Sequence, residues 1–479
     1  MIWPIKAILP VTLLRFFLSH FSSYLPSYLS HPLLDLHAAA ELALFFHFLW
    51  KARSLTGSVP AASASYLYPD IDLQTNLPPF EHLKVSLTHL TSALKTSLPK
   101  STTPAQMRAR KQHELANWFT DKSLSGNAPA TFGQLHRHHL SSWLAWAFHD
   151  RSLDDALEEE LEPLVDAVEK WAGAPLLSSP SPPSPTIVPL RLNLDDLRAQ
   201  HRPILHYVVT HLCANLAGWA IFRARGFERR VKNGQVYYFR KRRDLKGRGR
   251  KPLVFVSGIG IGLISYESLI RVLTSDDRDI LAFDLPEISL RWSPFAQHAH
   301  APPLRTVETV AALIGACHRG GEGAHCVAHS MGCVIVQWLI RLGGRGARPA
   351  VASLTFVDPV CFLLISPSVA ANFCYRFPRT FLDLLVSYFV AREVGVNNSL
   401  HRHFQWKLNN LEPRLLPANS AVVLSEWDAF VPSELVRAHL RAERPDVDVA
   451  MLRHHFHSQF SVVPESFNLV AKMSRDVDK

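Results

Sequence analysis

The sequence predicts an α/β protein preceded by a mainly helical region. Short apolar runs without alternation recur at 253–257, 280–283, 326–328, 351–357 and 421–424. Such runs read as strands buried on both faces. Between them the spacing turns helical: Val307, Val310, Ala311 and Ile314 fall at i, i+3, i+4 and i+7, and 334–342 reads as a buried helix ended by Gly343 and Gly344. Strands and helices alternating in this way form a parallel sheet covered on both sides, here over 251–479.

Ahead of that domain, residues 1–55 are the most apolar part of the chain. Lys6, Arg15, Pro4 and Pro10 interrupt the first run, over 1–19, and His37 and Glu41 sit in the second, over 36–50. Neither reaches the ~20 uninterrupted apolar residues of a span; a signal anchor, a transit peptide and an interfacial helix all stay open, and association with a membrane is expected. Residues 56–173 read as helical, with Trp118, Phe119, Trp143, Trp146 and Phe148 as packing anchors. The acidic run Asp154 to Glu162 reads as a solvated helix start. Six prolines among serines between Pro175 and Pro189 favour extended chain and predict a linker over 174–190. Over 191–250 a helix is expected from a cap at Asn193 or Asp195 through Leu205, Tyr207 and Trp219, kinked by Pro203 and followed by a basic segment.

Charge and cysteine usage exclude several functions. The net charge of +10 is concentrated between Arg223 and Lys251, where thirteen basic residues face only Glu228 and Asp244. The rest of the chain is therefore close to neutral, which points away from nucleic acid; the basic segment can attract anionic lipid headgroups, with a solvated loop as the alternative. Six cysteines include no Cys-x-x-Cys pair, so neither a zinc ribbon nor a redox motif is present. The clusters His136, His138, His139 and His454, His455, His457 lack nearby cysteine or carboxylate ligands, and no metal or other cofactor is expected. His149 and Asp154 match a His-x4-Asp acyltransferase spacing, but outside the sheet domain.

The chemistry-bearing motifs lie at predicted strand ends. The third apolar run leads into Ala328-His329-Ser330-Met331-Gly332 and then a helix. A serine on a sharp strand-to-helix turn needs small residues two positions to either side, and Ala328 and Gly332 meet that need. Ser257-Gly258-Ile259-Gly260-Ile261-Gly262 follows the first run. Its glycines allow main chain to approach an oxyanion closely, and they lack the Gly-x-Gly-x-x-Gly spacing of a dinucleotide loop. The amides of Ile259 and Met331, beside Gly258 and Gly260, are the expected oxyanion donors. A serine nucleophile needs a base and an orienting acid, in the chain order serine, acid, histidine. Asp428 just past the strand 421–424 is the expected acid, with Asp358 as alternative; His457 after the last strand is the expected base, with His455 as runner-up.

These residues resemble the α/β-hydrolase superfamily over Lys251 to about Phe467, in the glycine loop, Phe283-Asp284-Leu285-Pro286, the serine elbow, Asp428 with Val431-Pro432, and His457 ahead of Gln459-Phe460. The chain looks closest to fungal members with an N-terminal membrane-associated helical region, which similarly carry the Asp-Pro-Val-Cys seen at Asp358 to Cys361. Ser257 stands where a histidine is usual before the glycine loop, and Ala328 where the elbow usually has its first glycine. The resemblance implies an α/β-hydrolase fold with a helical cap over 359–417. Its implied activity is hydrolysis of a carboxylic ester through an acyl-enzyme on Ser330. The aromatic-rich cap and the apolar N-terminus point to a lipid-like substrate. Acyl transfer on the same fold and an inactive binding or scaffold protein are the alternatives. Asn397-Asn398-Ser399 is a glycosylation sequon if it faces a secretory lumen.

Overall fold

The computed structural model describes residues 10–11, 32–57, 77–124, 128–179, 181–242, 251–290, 303–317, 323–342 and 350–478. Apart from Pro10 and Val11, the apolar run expected over 1–19 lies outside them, as do Arg243, Lys246, Arg248 and Arg250 of the basic segment.

Eleven strands are described. Three short ones, β1 (Phe119–Asp121), β2 (Ala128–Pro129) and β3 (Ile187–Pro189), form a small sheet in the order β2-β1-β3. The other eight are β4 (Glu228–Lys232), β5 (Gln235–Arg240), β6 (Leu253–Val256), β7 (Ile280–Phe283), β8 (Ala324–His329), β9 (Val351–Val357), β10 (Asn419–Ser425) and β11 (Asp448–Leu452). They form one sheet in the order β11-β10-β9-β8-β6-β7-β5-β4. From β7 to β11 every pairing is parallel, while β5 runs antiparallel to both β4 and β7. Leu253, Val254, Phe255 and Val256 are all fully buried, which is why the run does not alternate. Each large apolar side chain there contributes at most about 1.5–3 kcal/mol by leaving water. Strand order reverses at β6, which lies between β7 and β8. The loops after β6 and β8 therefore leave the sheet on either side of a crevice at its carboxyl edge, where α/β sheets hold their ligands.

Several expectations need correcting. The sheet domain begins at Glu228, not at Lys251: half of the expected basic segment is the hairpin β4-β5, closed by Asn233 and Gly234, both at positive φ. That Asn-Gly pair is a strong hairpin signal, masked by the charges of an edge strand, where exposed Arg229 and Arg230 discourage further pairing. Residues 174–190 do not act as a free linker. Ile187, Val188 and Pro189 pair with β1, and Leu177 bridges to His136. The helix expected from Asn193 or Asp195 starts instead at Ile204, with Pro203 as its first flanking residue, because proline starts a helix more readily than it continues one.

The helical region does not stand apart either. Helix Pro79–Ser97 packs along helix Ser433–Glu443 of the sheet domain. The Trp118 indole donates to the carbonyl of Ile365 at 2.8 Å, and His82 stacks on Trp406 at 5.7 Å. Leu83, Leu140, Trp143 and Leu161 consequently share one buried core with Val254, Phe356 and Leu424 of the sheet. Between β9 and β10 the chain forms the cap, which includes helix Val394–His403. Asn397 of the sequon is buried in that helix, donating to Ala391 O at 3.1 Å and accepting from Arg198 N, so it is not an accessible glycan acceptor in this fold.

Candidate active site

Ser330 lies between β8 and helix Gly332–Leu342, with φ +51°, a left-handed conformation that non-glycine residues adopt only under tertiary constraint. Its amide donates to Val357 O at 3.0 Å, tying the turn to the next strand. A side chain at residue 332 would place Cβ 2.4 Å from Val256 O and 2.7 Å from Ser257 O, so glycine is obligatory there. The same holds at Gly258, where Cβ would stand 2.8 Å from His329 Nδ1 and 3.0 Å from Ser330 Cβ. The elbow and the glycine loop are in contact, and each excludes bulk from the other.

The structure brings Ser330, His457 and Asp428 together from three strand ends. His457, in the loop after β11, has Nε2 2.9 Å from Ser330 Oγ and Nδ1 2.6 Å from Asp428 Oδ2. Asp428, past the end of β10, also accepts from the amides of Phe430 at 2.8 Å and Val431 at 2.9 Å, which orient its carboxylate. With Nδ1–H donating to Asp428, Nε2 is left to accept the serine proton. Burial pushes the His457 pKa down, but the Asp428 carboxylate outweighs it, so the net shift is upward. His455 is turned elsewhere, its ring nitrogens meeting Arg453 O and Ser466 Oγ.

Among the four loop residues expected to bind an oxyanion, the amides separate cleanly. Gly258 N–H donates to the Tyr266 hydroxyl at 3.0 Å, and Gly260 N–H to Ile288 O at 3.1 Å. Ile259 and Met331 have amides without a hydrogen-bond acceptor among the described residues, and both residues line the cavity above Ser330. Beneath them runs a network that the sequence did not announce. The Tyr266 hydroxyl meets His329 Nδ1 at 2.8 Å, and His329 Nε2 meets Ser458 Oγ at 3.2 Å. Burial, aided by the neighbouring His457, holds His329 well below the usual histidine range, hence neutral. His329 was visible as the residue before the serine; nothing local marked Tyr266.

Asp358 lies at the end of β9, fully buried and at positive φ. It accepts from Ser425 N at 2.7 Å, Ser425 Oγ at 2.9 Å and Ser458 N at 3.3 Å, and makes no hydrogen bond to His457. Burial raises its pKa to about 6, against the opposing pull of His457. Among the described residues His329, Asp358 and His457 are clustered tightly enough for a metal ion. Every ligand atom of that cluster is already in a hydrogen bond to the protein, so the residues do not fit a metal. The cluster His136, His138, His139 caps its own helix and meets Glu158 and Ser184. Asp154 of the His-x4-Asp pattern caps helix Asp155–Ala172 through Leu157 N.

The cavity over Ser330 measures about 190 Å³. Cap residues Val369, Phe373, Val386, Val390, Leu400 and Phe404 form much of its wall, with Phe430, and the polar groups converge at Ser330, His457 and Ser458. A larger cleft of about 480 Å³ lies elsewhere, between helix Pro104–Ala116 and the start of the cap, and includes none of the three.

No family model matches the chain, and no curated protein matches it. Solved structures do. Carboxyl esterase 2 from the mycorrhizal fungus Tuber melanosporum is 13% identical with TM-score 0.37, over 53% of this chain and 86% of that one. Esterase LipW from Mycobacterium marinum is 14% identical with TM-score 0.40, over 57% and 88%. Epoxide hydrolase VrEH1 from Vigna radiata is 11% identical with TM-score 0.36, over 53% and 98%. A parallel-dominated sheet with a serine elbow after β8, an aspartate after β10 and a histidine after β11 is the α/β-hydrolase fold.

Proposed function

We propose that this chain is a serine hydrolase that cleaves a carboxylic ester with an apolar, lipid-like acyl group at a membrane surface. The observation that carries this reading is the unbroken hydrogen-bonded series Ser330–His457–Asp428 at an apolar cavity also lined by Ile259 and Met331, whose amides have no acceptor among the described residues. Ser330 Oγ attacks the ester carbonyl while His457 Nε2 takes its proton; Asp428 stabilises the imidazolium that forms. The Ile259 and Met331 amides receive the oxyanion of the tetrahedral intermediate. Collapse of that intermediate expels the alcohol, which receives the proton from His457. Water activated by the same imidazole then releases the acid and restores Ser330. An aspartate nucleophile would be needed for epoxide chemistry, and serine stands in its place.

Active-site labelling with a fluorophosphonate tests the reading. The wild type is expected to form one covalent adduct at Ser330, and Ser330→Ala is expected to form none and to lose roughly 10³-fold or more in ester turnover. Absence of an adduct in the wild type would favour an inactive binding protein on this fold. Equal turnover in Ser330→Ala would remove the assignment.

A further inference from the structure

We propose that the outer faces of helices Pro32–Gly57 and Ile204–Ala224 form a docking surface on which this chain lies against an anionic phospholipid bilayer without crossing it. Helix Ile204–Ala224 has the length and apolarity of a membrane span. Its outward stripe is Leu205, Val208, Val209, Leu212, Leu216 and Trp219, with Leu205 60% and Leu216 61% exposed. These positions recur at three- and four-residue steps and so occupy one face. An apolar surface of this extent is uncommon on a monomer whose only solvent is water.

The opposite stripe decides between lying on and spanning. Tyr207, Thr210, Ala214, Gly218 and Phe222 are buried against the protein along the length of the helix. Thr210 donates to Leu290 O at 3.0 Å, and a Cβ at Gly218 would sit 3.9 Å from Ile264 Cβ. A helix packed against the hydrolase domain through four turns cannot be surrounded by lipid, so only its outer half is free to enter a membrane.

Helix Pro32–Gly57 extends the same surface. Glu41 accepts from Ile204 N at 2.9 Å, and Phe45 and Phe48 pack on His201 at 5.4 and 5.7 Å, which fixes the start of helix Ile204–Ala224 against the middle of helix Pro32–Gly57. Its own outward residues include Leu36, Phe46, Leu49 and Trp50. Both helices end alike: Trp50 is followed by exposed Arg53, and Trp219 by exposed Arg223, with exposed Arg229 on β4 beyond. Tryptophan prefers the headgroup level and arginine binds anionic phosphates, so the apolar stripe is flanked by groups that an anionic bilayer surface attracts. No charged residue stands in the stripe between Leu205 and Ala220 to set the register of a protein partner.

The surface adjoins the route to the serine, an argument that rests on the function proposed above. One cap helix, Phe381–Val386 continued by Ser387–Ala391, separates the two. Its Val386 and Val390 line the cavity over Ser330, while its Phe389 stacks on His206 of the docking helix at 5.6 Å. A lipid ester leaving the bilayer beside His206 meets the cap first.

Flotation of the full chain with vesicles of phosphatidylcholine, with and without phosphatidylglycerol, tests the proposal. The wild type is expected to float with the anionic vesicles, and the double variant Leu212→Glu, Leu216→Glu to partition about tenfold or more weakly. Arg223→Gln and Arg229→Gln are each expected to weaken binding about fivefold on anionic vesicles only. Val462→Glu, at a 73% exposed position before helix Pro464–Val477, is expected to change nothing. Hydrolysis of a water-soluble short ester should persist in the Leu212/Leu216 variant while hydrolysis of a vesicle-embedded ester falls. Ser330→Ala should float like the wild type, so docking and catalysis are read separately. A wild type that stays unbound overturns the proposal, as does a Leu212/Leu216 variant that floats normally. A soluble dimer that dissociates in that variant, without vesicle binding, would assign the face to a second copy instead.

Discussion

The carboxyl edge of the sheet and the helical layer beside it solve opposite problems. At the sheet edge polar groups are buried and paired: Ser330, His329 and Asp358 are all inside, each with a hydrogen-bond partner. On helix Ile204–Ala224 apolar groups are outside and uncovered. A buried polar group left unpaired costs about 1–3 kcal/mol, so the first arrangement persists only if geometry is held tightly by backbone turns. The second needs no such precision, since a bilayer accepts any apolar stripe of suitable length. The contrast separates the proposed catalytic site, which depends on placed polar groups, from the proposed docking surface, which depends only on exposed apolar area.

The largest effect should come from the acid of the triad. Asp428→Asn is expected to lower turnover about 10³–10⁴-fold, because the amide no longer stabilises the imidazolium or its tautomer. The same variant sharpens the electrostatic reading. In the proposed mechanism His457 works as a base in its neutral form, and its pKa is raised, so kcat/KM in the wild type should climb with pH through a limb above the ordinary histidine value of about 6.5. Without Asp428 the lowering effect of burial is no longer outweighed, and the residual activity should show that limb at lower pH. A limb that stays in place would mean that another group controls it.

Glycines set the sheet edge against its helical cover next. Gly332→Ala puts a methyl into the carbonyls of Val256 and Ser257, and should destabilise by about 3 kcal/mol as the elbow is forced apart. Gly315→Ala, in helix Pro303–Cys317 with nothing within 4 Å of the new Cβ, should stabilise by up to about 1 kcal/mol. Chemical denaturation of both variants checks the pair. Equal responses would erase the distinction between the two regions.

The smallest effect is expected at Asp358. Its oxygens hold Ser425 and Ser458 and make no hydrogen bond to His457, so Asp358→Asn should cost less than about tenfold in kcat, with little change in KM. A loss matching that of Asp428→Asn would transfer the orienting role to Asp358.

Much of the sheet was legible because its information is local. Unalternating apolar runs mark doubly covered strands, and β7 and β9 start and end where those runs do. The elbow was legible for the same reason, since a strand, a tight turn and a helix follow one another within a dozen residues. The β4-β5 hairpin was not, because on an edge strand charge replaces the apolar pattern that strand reading relies on. Tyr266 was not legible either, as its role depends on a hydroxyl reaching Gly258 and His329 from a separate loop.

By itself the sequence determined the central parallel strands, the need for small residues around Ser330, and the chain order serine, aspartate, histidine. These follow from steric and periodic rules that act within a few residues. Only the tertiary structure decided which aspartate meets His457, which two loop amides lack an acceptor among the described residues, and that the helical region joins the core of the sheet domain. It also decided which side of helix Ile204–Ala224 faces outward. Those outcomes depend on groups far apart in the chain competing for the same partners, and only packing in three dimensions settles that competition.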